Sequence, residues 1–149
     1  MGAAGELKAM ADRQELEAIE PSVDKAEAML VTADRSLKTA RSIASSDPDS
    51  ALLLAWDAIA FQALAATLSI AGYRVMSQVG HHRAAVNAGR LLLGDDALLS
   101  RIGRLMRSRS RGMYDGEPAE KEEVAAALDD CEKLIKLVRS AAERARAAK

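Results

Sequence analysis

The chain has 149 residues, 49% of them hydrophobic and 29% charged, the length and balance of one globular domain. Its 21 basic and 22 acidic residues nearly cancel, so the molecule as a whole does not attract nucleic acid, and any such affinity must come from local clustering. A single cysteine, Cys131, excludes an internal disulfide, and no Cys or Cys/His spacing suggests a zinc site. A reducing cytoplasm is therefore expected, with no metal and no cofactor.

Trp56, Phe61, Tyr73 and Tyr114 are the only aromatics, and Gly and Pro are scarce, so the core must be aliphatic and alanine-rich. That composition favours helices over strands. Residues 1–20 show only loose periodicity and are expected to form a short helix or an arm, ended by Pro21. They have no basic start followed by an apolar run, so no secretion signal is expected. From Val23 to Ala44 apolar residues alternate in steps of three and four, which predicts a helix over 23–45.

Ser45–Ser50 breaks that helix and restarts the chain, with Asp47 as N-cap and Pro48 at the first helical position of a second helix over about 48–73. Within it, Ala51 to Gly72 carries Asp57 as its only charge. Length alone would permit a membrane span. Asp57, Gln62, Thr67 and Ser69, together with the absence of a flanking basic and aromatic belt, argue instead for a buried helix at the centre of a bundle.

A third helix is predicted from His81 to Leu93, stopped by Gly94, and a fourth from Asp95 or Asp96 that fails near Gly112 or Gly116. A fifth opens at Pro118 and repeats the four-three alternation through Ala145, with acidic residues early and basic residues late, as the helix dipole favours. No repeat and no strand is expected. Residues 21–149 then read as an all-α antiparallel bundle of about five helices, four of them long and packed up-and-down.

The fourth helix carries the least ordinary residue. At 3.6 residues per turn, Leu105, Met106 and Arg109 lie about −60°, +40° and −20° from Ile102, so Arg109 falls in the middle of the apolar stripe. Arg104, Arg107 and Arg111 fall on the opposite side, on a solvated face or one that meets nucleic acid. A buried guanidinium needs a counter-charge, and Asp57 is the candidate. Either the two meet, or they lie at different heights of the bundle. His81 and His82 are neighbours on a helix and point about 100° apart, which does not suit convergence on one metal ion; one caps and one packs is the simplest reading. Cys131 lies on an apolar stripe and reads as core.

The apolar second helix with Asp57, the segments Gly72-Tyr73-Arg74 and Gly80-His81-His82, and the run from Arg107 to Gly116 resemble the HEPN (higher eukaryotes and prokaryotes nucleotide-binding) domains, in a bacterial branch, over roughly residues 23–140. The resemblance implies an all-helical homodimer in which an arginine, often followed by a polar residue and then by a histidine four to six residues on, forms an RNA-cleaving cleft between protomers. Arg109 and Ser110 match the first part. Tyr114 stands where a histidine would be expected, and no histidine follows. Three readings stay open: a binding or regulatory subunit, in a toxin-antitoxin or phage-defence setting with a cognate partner such as an antitoxin; a metal-independent endoribonuclease using Arg109, with Tyr114, Ser110 or a histidine from elsewhere as base and Asp57 orienting; or a helical bundle with no nucleic-acid role. No membrane contact is expected.

Overall fold

The computed structural model describes residues 2–77 and 80–148, apart from the side chains of Met113 and Tyr114. Helix α1 (Ala3–Asp12) is followed by strand β1 (Leu16–Ala18) and helix α2 (Val23–Ile43). Helix α3 (Pro48–Leu54) passes through a π-helical turn at Ala55–Ala60 directly into α4 (Phe61–Ala71). Strand β2 (Tyr73–Val75) and helices α5 (His81–Leu93), α6 (Asp96–Asp115) and α7 (Lys121–Ala147) complete the described elements.

The helix starts follow the expected capping chemistry. Ser22 accepts the Lys25 amide at 3.1 Å, Asp47 accepts that of Ser50 at 3.2 Å ahead of Pro48, and Asp95 accepts that of Leu98 at 3.0 Å. Each satisfies a backbone donor that the first turn leaves without a partner. Leu98 lies buried in the core, and among the described residues Val31 is the exposed large hydrophobic residue, at 58%.

The apolar helix Pro48–Ala71 is long and apolar enough to cross a membrane, yet most of it is buried inside the protein. Ala51, Ala55, Trp56, Ile59, Ala60, Ala63 and Leu64 are all fully enclosed, surrounded by α2, α5, α6 and α7. A helix apolar on all sides is stable in water only at the centre of such a bundle. Ion pairs set the direction of the outer helices: Arg146 to Asp24 and Glu27, Arg139 to Asp34, and Arg41 to Asp129 and Glu132 hold α2 and α7 antiparallel. Arg101 to Asp130 and Arg111 to Glu123 do the same for α6 and α7.

The four long helices thus run up and down as expected, while α5 is an addition. It runs parallel to α4, since His82 meets Trp56 at one end and Gly89 meets Leu64 further along. A Cβ on Gly89 would come within 2.5 Å of a terminal methyl of Leu64, so a larger residue there would require that side chain to shift.

Three departures from the expectation concern residues 1–20, the end of the second helix and the start of the last. Leu16–Ala18 pairs antiparallel with Tyr73–Val75, so a small two-stranded sheet exists where none was expected. Three-residue strands are too short to show a period of two. The second helix stops at Ala71, because Gly72 turns left-handed at φ +91°, and a Cβ there would crowd Pro21 and the Ile19 carbonyl at 3.0 and 3.2 Å. The last helix begins at Lys121 and not at Pro118, capped at Glu120 without a side-chain bond.

The sheet brings α1 down onto a second apolar cluster, where Leu7, Met10 and Leu16 pack with Leu68, Ala84 and Ala88. Leu7→Ala is therefore expected to cost about 2–4 kcal/mol, as for a truncated core leucine, where a loose arm would lose about 0.5 or less. Urea unfolding of the two proteins measures the difference.

Candidate functional site

Helix α6 buries Leu98, Leu99, Ile102 and Leu105 along one stripe, and Arg109 continues that stripe one turn further. Its side chain is only 14% exposed. The guanidinium reaches the π-helical turn of the central helix, where Nη2 donates to Oδ2 of Asp57 at 3.0 Å. The wide turn leaves Trp56 fully buried while Asp57 beside it stays 44% exposed. Cys131 braces the same turn from α7, its thiol donating to the Ala55 carbonyl at 3.3 Å. Burial pushes that thiol up to about 12, so Cys131 is an apolar filler with a weak donor, not a nucleophile.

The pair is asymmetric: the cation is largely desolvated and the anion largely is not. A guanidinium carries five N–H donors, and Asp57 occupies one of them. Nε of Arg109 is buried without a hydrogen-bond partner among the described residues. One carboxylate therefore does not satisfy Arg109. The side chain also forms part of the wall of a cavity of about 320 Å³ with Leu52, Leu53, Gly112, Gly116 and Pro118. Asp49, in the same wall, is already engaged by the Ala119 amide at 2.7 Å.

His82 enters this neighbourhood from the start of α5. The Trp56 indole donates to its Nδ1 at 3.1 Å, and Phe61 and His81 stack edge-on against the same ring. Burial first, then the charges of His81 and Arg109, hold His82 below the ordinary histidine range, with Asp57 opposing. An indole N–H can only donate, so Nδ1 carries no proton and the neutral ring carries its proton on Nε2. Held in that form, His82 is a hydrogen-bond donor. It can act as a base only by giving up Trp56.

The other predicted residues scatter. Ser110 donates to the Met106 carbonyl of its own helix at 3.2 Å, and Arg111 lies on Ser108, Glu117 and Glu123. Arg104 and Arg107 are exposed and make no ion pair among the described residues. Tyr114 lies in α6, and its side chain falls outside the described residues. His81 and His82 both join the aromatic cluster, with Gly80 at the N-cap position. Two features escaped the sequence reading: the Trp56 to His82 bond and the approach of Arg83 to the α6 arginines. The first had a signal, since an indole buried in an apolar helix requires an acceptor.

Residues 26–141, most of the chain, match the HEPN domain family. No curated protein and no solved structure matches the chain.

The asymmetry of the pair sets the outcome of a double-mutant cycle. Asp57→Ala leaves a buried guanidinium unpaired and is expected to cost about 1–3 kcal/mol, whereas Arg109→Met leaves a carboxylate that water can reach and costs about 1 or less. Urea unfolding should give a coupling near 1 kcal/mol between them; additivity within about 0.3 would mean that the pair contributes nothing. His82 gives a second readout. Its folded value lies below the unfolded value of about 6.5, so the unfolded chain takes up the proton first as pH falls. Stability is full above about pH 6.5 and declines below it, through the folded value, and His82→Gln should flatten that slope.

Proposed function

The chain belongs to the HEPN domain family, and on that premise we propose that it is an RNA-binding protein that does not itself cut RNA, a homodimeric binding or regulatory subunit. The observation that carries this reading is the bond from Trp56 to Nδ1 of His82. Cleavage of RNA by attack of its 2′-hydroxyl needs a group that accepts a proton from that hydroxyl and another that donates to the leaving oxygen. The histidine beside Arg109 is held as a donor and kept neutral, a form that hydrogen-bonds a phosphate oxygen but takes no proton.

Arg109 suits the same role. A guanidinium with unfilled donors in a partly enclosed site binds phosphate through charge-assisted hydrogen bonds, strengthened by the loss of surrounding water. Ser110, bonded back onto its own helix, is not aimed at a reacting atom. The cleaving alternative draws on Arg109-Ser110 as the first part of the family motif. In both readings the resemblance implies that two protomers face one another, with a cognate protein, such as an antitoxin, in a cytoplasmic toxin-antitoxin or phage-defence setting.

The test incubates purified protein with mixed single-stranded RNA in EDTA, beside Arg109→Ala. The wild type is expected to shift the RNA in a gel and leave its length distribution unchanged, and Arg109→Ala to weaken the shift about tenfold or more, the cost of losing one charged hydrogen bond in a desolvated site. RNA fragments that appear with the wild type and vanish with Arg109→Ala would replace this reading with the nuclease. Light scattering on the same sample should give twice the chain mass, and a monomer at micromolar concentration would remove the dimer.

A further inference from the structure

Helices α5 and α6 form an antiparallel hairpin, and along its outer side runs a groove of about 320 Å³. Arg83, Asn87 and Arg90 line it from α5, and Ser100, Arg104 and Arg107 from α6; no Asp or Glu is in its wall. Arg90 has a distant partner in Asp96 at 3.9 Å, whereas Arg83, Arg104 and Arg107 make no ion pair among the described residues. The contrast with the other side of α6 is sharp. There the cavity that Arg104 and Arg107 share with Arg101 and Arg111 also contains Glu123 and Asp130, and Arg101 and Arg111 are paired with them.

The floor of the groove is Gly103. It lies in the middle of α6, where glycine costs about 1 kcal/mol relative to alanine. Nothing in the fold requires it: a Cβ there would meet the Arg107 guanidinium at 3.6 Å and Val86 at 3.8 Å, both ordinary contact distances, and Gly103 is not among the positive-φ glycines. What the absent side chain preserves is the depth of the groove beneath three arginines. Arg83 and Asn87 stand one turn apart on α5, as do Arg104 and Arg107 on α6, so two short rows of donors face one another across that floor.

Resting on the RNA-binding reading, we propose that this α5/α6 groove is a binding track for the phosphate backbone of single-stranded RNA, with Arg83, Arg104 and Arg107 neutralising successive phosphates and Asn87 and Ser100 supplying neutral hydrogen bonds. Unmatched like charges across a groove repel one another, and a polyanion relieves that repulsion along its whole length. RNA fits better than an acidic peptide because the wall is polar and cationic throughout, with Val86 and Met106 as its only large apolar members and no aromatic pocket for an anchoring side chain. One end of the track is set by Arg83, the residue after His82 in α5, and by Arg107 on α6.

The experiment measures fluorescence anisotropy of a labelled mixed-sequence single-stranded RNA over a salt series, with wild type, the triple variant Arg83→Ala/Arg104→Ala/Arg107→Ala, Gly103→Leu, and Arg101→Ala as a control from the paired side. The triple variant is expected to lose at least tenfold in affinity and to flatten the log-log salt slope by about 2, from roughly 0.7 per lost phosphate contact. Gly103→Leu should weaken binding at unchanged net charge, by filling the floor, and Arg101→Ala should change little. Circular dichroism confirms that each variant is folded. Wild-type binding that the triple variant and Gly103→Leu leave unaltered would overturn the track while sparing the RNA-binding reading. No binding by the wild type would overturn that reading itself. Tighter wild-type binding of polyglutamate than of RNA would assign the groove to an acidic protein instead.

Discussion

The burial of one apolar helix organises this protein. Pro48–Ala71 cannot expose its surface to water, so α2, α5, α6 and α7 gather around it. A polar atom that this helix buries must find a partner on whichever neighbour reaches it, because an unsatisfied buried donor costs about 1–3 kcal/mol. Two polar groups matter, the buried Trp56 indole and the partly exposed Asp57 carboxylate. The Trp56 indole takes His82 from α5, and the Asp57 carboxylate takes Arg109 from α6. Both lie in the same π-helical turn, so the helix that fills the core also sets the chemistry of the site.

That chemistry favours recognition of anions over proton transfer. Arg109 is a desolvated cation whose one ion-pair partner among the described residues is a partly hydrated carboxylate, and His82 is constrained to the tautomer that donates. The opposite arrangement, with a carboxylate bonded to one ring nitrogen and the other nitrogen left to accept, is the one that prepares a histidine as a base. Here a tryptophan stands in the carboxylate's place. It lowers rather than raises the readiness of the ring to take a proton.

The near-neutral composition conceals how the charges are divided. Across α2 and α7 Arg41 and Arg146 each meet two carboxylates and Arg139 meets one, and on the α7 side of α6 Arg101 and Arg111 are paired with Asp130 and Glu123. In the groove on the α5 side of α6 arginines gather with no carboxylate in the wall. A net charge of −1 thus coexists with a local cationic groove, as the sequence-level argument about clustering requires.

The helices and their stripes were legible because a period of 3.6 in apolar residues states which direction each side chain takes around its helix. That was enough to place Arg109 inward, Arg104 and Arg107 outward, and Cys131 in the core. Periodicity says nothing about height along the bundle or about which helix lies opposite. Whether Asp57 and Arg109, 52 residues apart, would meet therefore stayed undecided in the sequence, and only the packing of α6 against the π-helical turn brought them to 3.0 Å. The same applies to His82 on Trp56 and to Arg83 across from Arg107, because α5 runs parallel to α4 and antiparallel to α6 only once the chain has been returned by the Leu16–Ala18 and Tyr73–Val75 pairing. Those strands are three residues each, too short to carry a period, and they form because Gly72 turns left-handed against Pro21.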